Sequence, residues 1–213
     1  MPDILIVVAT ALEAERLPKL REARIVVSGI GAVNAALATQ TAIFETKPRL
    51  ALSVGIGGAY PWGGAQIGEV VVSSELVYAN LGAEDGEEFL GLERLGFPLL
   101  PNHFNVLPAS SLGDGLARAT GARLGQILTV ETVTGNPRTL ARLERLYPAA
   151  LCEAMEGAGV AHAAALHGIP ALEIRGISNL VEDRRNRDSW RIGAALEALH
   201  TALETGWDVL LEG

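Results

Sequence analysis

At 213 residues, 49% of them hydrophobic and 20% charged, the chain is long enough to bury one large core and lies far from the composition of disordered proteins. A formal net charge of −8 argues against a nucleic-acid backbone or an anionic membrane surface as partner, and leaves a small molecule as the expected ligand. The lone cysteine, Cys152, excludes an intrachain disulfide and a paired-thiolate metal site, as expected of a protein from a reducing, cytoplasmic compartment.

The first apolar run, DILIVVAT over 3–10, is short and has no basic region before it, so it reads as a buried first strand rather than a signal segment. The following ALEAERL is a good helix former. RIVVSGIG (24–31) repeats the strand pattern and opens the helical AVNAALATQTAIFET, which Lys47 and Pro48 stop. RLALSVG (49–55) is a third strand running into the glycine-rich GIGGAYPWGGAQIG, and EVVVSSELVYAN (69–80) is a longer one rich in β-branched residues. Residues 81–105 mix acid, Gly and Pro without a period and read as an irregular surface excursion.

PASSLGDGLARAT then reads as a helix from a Ser cap, and RLGQILTVETV (123–133) as a strand. NPRTLARLERLY is a helix with Asn136 as cap and Pro137 in its first turn. ALCEAM and PALEIRGIS are the last strands, separated by a helix from Glu156 to His167, and an amphipathic helix beginning at DSWRIG closes the chain. Strands alternating with helices imply an α/β layered fold, one domain over 1–213. No stretch approaches the roughly 20 apolar residues of a membrane-spanning helix.

Several groups carry chemistry. Gly55-Ile56-Gly57-Gly58 follows a strand, where backbone amides can meet a ligand, but it has neither dinucleotide nor phosphate-loop spacing. Glu13 and Glu15 sit just past the first strand, at the sheet edge where α/β proteins place their sites. Two residues apart on a helix, they point in different directions, so one at most faces a cleft. Glu153 and Glu156 flank a strand-to-helix junction of small residues, where a carboxylate can accept hydrogen bonds from vicinal hydroxyls; the plainer reading has Glu156 compensating a helix dipole. Met155 among alanines reads equally as core filler. The four histidines lack ligand spacing, and neither a metal nor an organic cofactor is expected.

The succession of ALEAER, SVGIGGA, EAMEGAGVAH and PALEIRGISN resembles the purine nucleoside phosphorylase and nucleosidase superfamily over almost the whole chain, with MEGAGVAHAAALHGIPALEIRGISN its most specific part. ISN and the trailing RNRDSW look like the futalosine hydrolases. The resemblance implies a three-layer α/β/α domain with a central mixed, twisted sheet, a purine nucleoside as substrate, and a homo-oligomer of at least two chains. It implies that Glu15 activates the attacking water, Glu156 holds the ribose hydroxyls and Met155 packs on the sugar, with Gly57 and Gly58 in the glycine loop and Val133 beside the base.

Asn179 stands where adenine-specific nucleosidases carry Asp. An amide can donate to the N7 and O6 acceptors of a 6-oxopurine, where a carboxylate would set acceptor against acceptor. Ile56 replaces the hydroxyl residue common in relatives and cannot hold an anion, which favours hydrolysis over phosphorolysis. Arg184, in the Arg184, Arg185, Arg187 cluster, is the expected partner of a carboxylate at the far end of the substrate. The expected reaction is N-glycosidic cleavage of futalosine to hypoxanthine and dehypoxanthine futalosine, in menaquinone biosynthesis. The alternatives are a nucleosidase or phosphorylase for inosine or methylthioadenosine/S-adenosylhomocysteine, and a nucleoside-binding module without chemistry.

Overall fold

The structure, a computed structural model, describes residues 3–182 and 190–212. Ten strands and seven helices follow one another as β1 (Ile4–Val8), α1 (Ala11–Arg16), β2 (Ala23–Val27), α2 (Ala32–Thr46), β3 (Leu50–Ala59), β4 (Val70–Tyr78), β5 (Gly82–Asp85), β6 (Glu88–Gly91), α3 (Leu92–Leu95), β7 (Val106–Pro108), α4 (Leu112–Thr120), β8 (Arg123–Thr129), α5 (Pro137–Leu146), β9 (Ala150–Ala154), α6 (Gly157–Leu166), β10 (Ala171–Leu180) and α7 (Ile192–Glu212), among the described residues.

β1 is entirely apolar because it is hidden on all sides, with parallel β2 and β3 along its edges and helices over both faces. Its alternation divides the core. Ile4, Ile6 and Val8 meet α7 through Leu199, Leu203 and Leu210, while Leu5 and Val7 turn to α2 and α6 through Ala35, Ala42, Val160 and Ala164. The small residues of α2 and α6 let the helices approach closely: a Cβ on Gly159 would lie 2.1 Å from the Ala32 carbonyl oxygen. The result is the expected three-layer arrangement of a mixed sheet between helices.

The sheet also curls. β10 pairs in parallel with β3 and antiparallel with β4, which leads through β8 and β9 back to the end of β3. Five strands thus close a ring around Ala59, Val71, Ile127, Cys152 and Ile177.

Four expectations need amendment. Gly55, Ile56, Gly57 and Gly58, read as a loop following the third strand, lie within it, because β10 pairs alongside and carries β3 on to Ala59. The excursion over 81–105 contains a hairpin, β5 and β6, turning at Gly86 with φ +62°; its charged strand residues hid the period. β8 stops at Thr129 rather than 133, because its neighbours end at Tyr78 and Ala154 and leave the chain beyond without a ladder. The closing helix starts at Ile192.

Candidate active site

β3 changes neighbours along its length. Leu50 to Ser53 pair with β1, and Gly58 and Ala59 with antiparallel β9, while β10 flanks the strand throughout. Between these partners one edge of β3 carries no strand among the described residues, and a cavity of about 300 Å³ opens there. Such a divergence is where α/β sheets hold ligands.

The free edge is met by Glu13. Thr10 caps α1, and the pair forms a reciprocal capping box: Thr10 Oγ1 accepts from the Glu13 amide at 3.2 Å, while Glu13 Oε2 accepts from Thr10 N and Thr10 Oγ1, both at 2.9 Å. The other oxygen, Oε1, accepts from Ile56 N at 3.1 Å, satisfying an amide that β1 does not reach. Glu13 is therefore buried and lines the cavity. Glu15 does not: it lies exposed on α1, away from the cavity lining, so the water-activating role cannot be placed on it. The Thr10-x-x-Glu13 signature was the sequence signal that distinguishes the two acids, because it fixes Glu13 at the third helical position facing the strand end.

Glu156, two residues past the end of β9, caps α6 without its side chain binding the helix's own amides. Its side chain lines the cavity, accepting from Gly31 N at 3.1 Å and Met155 N at 3.3 Å, so it does more than compensate the dipole of α6. Arg175, on β10 and 1% exposed, joins the acids. Its Nη2 lies 3.3 Å from Glu156 Oε2 and donates to Ser53 Oγ at 2.8 Å, while Nε donates to Glu173 Oε1 at 2.8 Å. Burial works against its charge, but Glu173, Glu156 and Glu13 together raise its pKa above the ordinary arginine value, so it is a permanent cation. Sequence reasoning passed over Arg175 and Glu173, although charges inside a buried strand signal a paired network.

Asn179 is set by a bulge. Ile177 pairs with Gly57 and Asn179 with Gly58, leaving Ser178 as the extra residue. Ser178 Oγ lies 2.8 Å from Asn179 Oδ1, and Asn179 Nδ2 donates to the Leu180 carbonyl at 3.1 Å. One amide hydrogen remains for a ligand, rather than the two expected from the sequence. A Cβ on Gly58 would stand 3.1 Å from Nδ2, so the missing side chain keeps room beside the amide.

Across Gly58 from Asn179, β9 brings Glu153. Its buried carboxylate accepts from Thr134 N at 2.7 Å, Thr134 Oγ1 at 2.6 Å and the Tyr60 hydroxyl at 2.7 Å. Burial raises its pKa, and the bonds from Thr134 and Tyr60 draw it partly back. Gly57, Gly58, Val133, Met155, Glu156 and Asn179, each singled out in the sequence, all line the cavity. Leu12, Ile30, Trp190, Ile192 and Leu196 give it an apolar end. Arg184 lies outside the described residues.

The arrangement offers carboxylates to a developing cation and an amide donor to a leaving group that gains electrons, in a pocket of nucleoside size. Comparison with known proteins agrees. The phosphorylase superfamily matches residues 4–205. The futalosine hydrolase of Streptomyces coelicolor is 43% identical over 181 residues, covering 83% of this chain and 74% of that one. The futalosine hydrolase of Thermus thermophilus is 38% identical, with 83% and 77% covered. A putative 5′-methylthioadenosine/S-adenosylhomocysteine nucleosidase from Borrelia burgdorferi, solved bound to adenine, superposes with a TM-score of 0.81 at 22% identity, over 99% of this chain and all of that one.

Proposed function

Because the chain belongs to the phosphorylase superfamily and, within it, to the futalosine hydrolase family, we propose that it hydrolyses the N-glycosidic bond of futalosine, releasing hypoxanthine and dehypoxanthine futalosine for menaquinone biosynthesis. The observation that carries this reading is the division of one cavity into a two-carboxylate side, Glu13 and Glu156, and an amide side, Asn179.

Glu156 accepts the ribose hydroxyls, and Met155 packs on the sugar. Glu13 orients a water and takes its proton as the oxygen bonds to C1′; the C1′–N9 electron pair leaves with the base. Both carboxylates stabilise the positive charge that builds on the ribosyl group. Asn179 donates its remaining hydrogen to the 6-oxopurine edge as electron density rises there. The apolar end at Leu12, Ile30 and Trp190 suits an aryl-bearing 5′ substituent, whose carboxylate is assigned to Arg184 on charge alone.

Water rather than phosphate is the acceptor. Among the described residues lining the cavity, Arg175 is the one cationic side chain, and its nitrogens are already engaged: Nε by Glu173, Nη2 by Glu156 and Ser53, and Nη1 by the Ile56 carbonyl at 3.4 Å. An incoming phosphate would meet two carboxylates and the apolar side chain of Ile56.

Ile30, Val33, Leu37 and Phe44 are 59%, 69%, 62% and 66% exposed, and the last three share a stripe of α2. Such a face fits the surface of a homodimer, and Ile30 would carry its partner to the cavity mouth.

The test is incubation of the purified protein with futalosine, inosine and methylthioadenosine in phosphate-free buffer, with free base followed by chromatography. Hypoxanthine from futalosine without phosphate is expected; product only when phosphate is added defeats the hydrolytic reading.

A further inference from the structure

The segment 130–136 separates two cavities. On one side Val133 and Thr134 line the nucleoside cavity; on the other the same two residues, with Thr132, Gly135 and Asn136, line a second cavity of about 400 Å³ next to Phe89 and Arg142. A wall with open space on both sides is not held by packing. Its first residue is anchored by Val130 N donating to the Ala154 carbonyl at 2.9 Å, and its last caps α5, Asn136 Oδ1 accepting from Thr139 N at 2.9 Å.

Between these ends the hydrogen bonds from the segment go, among the described residues, to one group. Glu153 binds Thr134 twice, backbone amide on Oε1 and hydroxyl on Oε2, and the hydroxyl of the buried core residue Tyr60 also donates to Oε2 at 2.7 Å. A carboxylate is suited to this task because it only accepts and has room for all three donors. We infer that Glu153 is a positioning residue which holds the Val133–Thr134 wall against the purine, and so sets how tightly the base is bound without touching the reacting atoms.

The inference rests on the nucleoside reading of the cavity only for its kinetic arm. Glu153 lies across Gly58 from Asn179, so the wall it holds stands opposite the amide and the base is gripped between the two. Loosening the wall costs binding; the carboxylates at the sugar are untouched. A mutation here therefore moves KM and spares kcat.

Three variants test this: Glu153→Leu, which removes the acceptors; Thr134→Val, which deletes one donor from the wall side; and Tyr60→Phe, which deletes one from the core side. Each is followed by futalosine kinetics and by amide hydrogen exchange over 130–136. Glu153→Leu is expected to raise KM about tenfold to a hundredfold, the factor for a lost charge-assisted hydrogen bond, with kcat within about threefold, and to speed exchange at Thr134. Thr134→Val moves KM the same way by less and covers the case in which Glu153→Leu fails to fold. Tyr60→Phe leaves KM within about twofold, whereas a purely structural network would give Tyr60→Phe and Thr134→Val equal effects.

Unchanged KM and unchanged exchange in both Glu153→Leu and Thr134→Val overturn the inference. If wild-type protein releases no hypoxanthine from futalosine, the substrate reading fails by itself, and the exchange measurement decides the role of Glu153 alone.

Discussion

Glu13 and Glu15 differ by two positions on one short helix, and exchanging each for glutamine separates their roles. Glu13→Gln keeps the shape and one acceptor, but its amide nitrogen must face either Ile56 N, 3.1 Å away in the native chain, or Thr10 N at 2.9 Å. A donor set against a buried donor costs about 1–3 kcal/mol of stability. Glutamine at the third helical position still supports a capping box, so α1 persists and the fold survives. The chemical loss is larger: without a base for water the rate falls by about 10²–10⁴. Glu15→Gln alters an exposed side chain outside the cavity and leaves both rate and melting temperature at the wild-type level. Initial rates of hypoxanthine release, read beside a thermal melt of each variant, give the comparison. A Glu13→Gln enzyme within about tenfold of wild type, or a collapse in Glu15→Gln, would refute the assignment of the water to Glu13.

Other outcomes follow from neighbouring contacts. Asn179→Asp places an oxygen in place of the Nδ2 that donates to Leu180 O at 3.1 Å, an acceptor facing an acceptor. Discrimination between 6-oxo and 6-amino purine nucleosides, measured as a ratio of kcat/KM, is expected to shift towards the amino substrates by about 1–3 kcal/mol; an unmoved ratio removes Asn179 from base recognition. Arg175→Met strands the buried carboxylates of Glu173 and Glu156 and lowers unfolding free energy in denaturant by about 3–5 kcal/mol. Burial raises the Glu173 carboxyl above its ordinary value against the pull of Arg175, so the folded chain holds that proton more tightly than the unfolded one. Its share of stability therefore falls as pH rises from the ordinary glutamate value through the raised one, and Glu173→Gln narrows the difference in Tm between about pH 5 and about pH 8. Leu37→Glu, on the exposed stripe of α2, is expected to yield monomers in sedimentation velocity if that face joins two chains.

Most of the fold was legible because its core strands are short apolar runs whose neighbours are helices. Asn136 and Pro137 cap α5 as read, the Asn136 side chain accepting from Thr139 N at 2.9 Å. The hairpin of β5 and β6 was not legible: Glu84, Asp85 and Glu88 sit on an exposed two-stranded ribbon that buries too little to show alternation. Within the site, Asn179, Glu156, Met155 and Val133 line one cavity as their sequence neighbourhoods suggested, because junctions of strand with helix are legible as junctions. The error over Glu15 has a definite origin. Helical periodicity gives no absolute phase in a helix of six residues, and only the Thr10 cap supplies it. The Arg175 network was hidden for another reason: its members come from β3 (Ser53), β10 (Glu173 and Arg175) and the start of α6 (Glu156), and their meeting depends on the order of strands in the sheet.

The extra residue at Ser178 has a wider meaning. In a strand, orientation is a matter of parity, and one inserted residue reverses it for everything downstream. Had β10 run without interruption, a serine would stand across from Gly58, and the neighbouring amide would look the other way. On the role proposed for Asn179, base choice is written partly as a count, and shortening the strand by one position would turn that amide away while leaving it in the sequence.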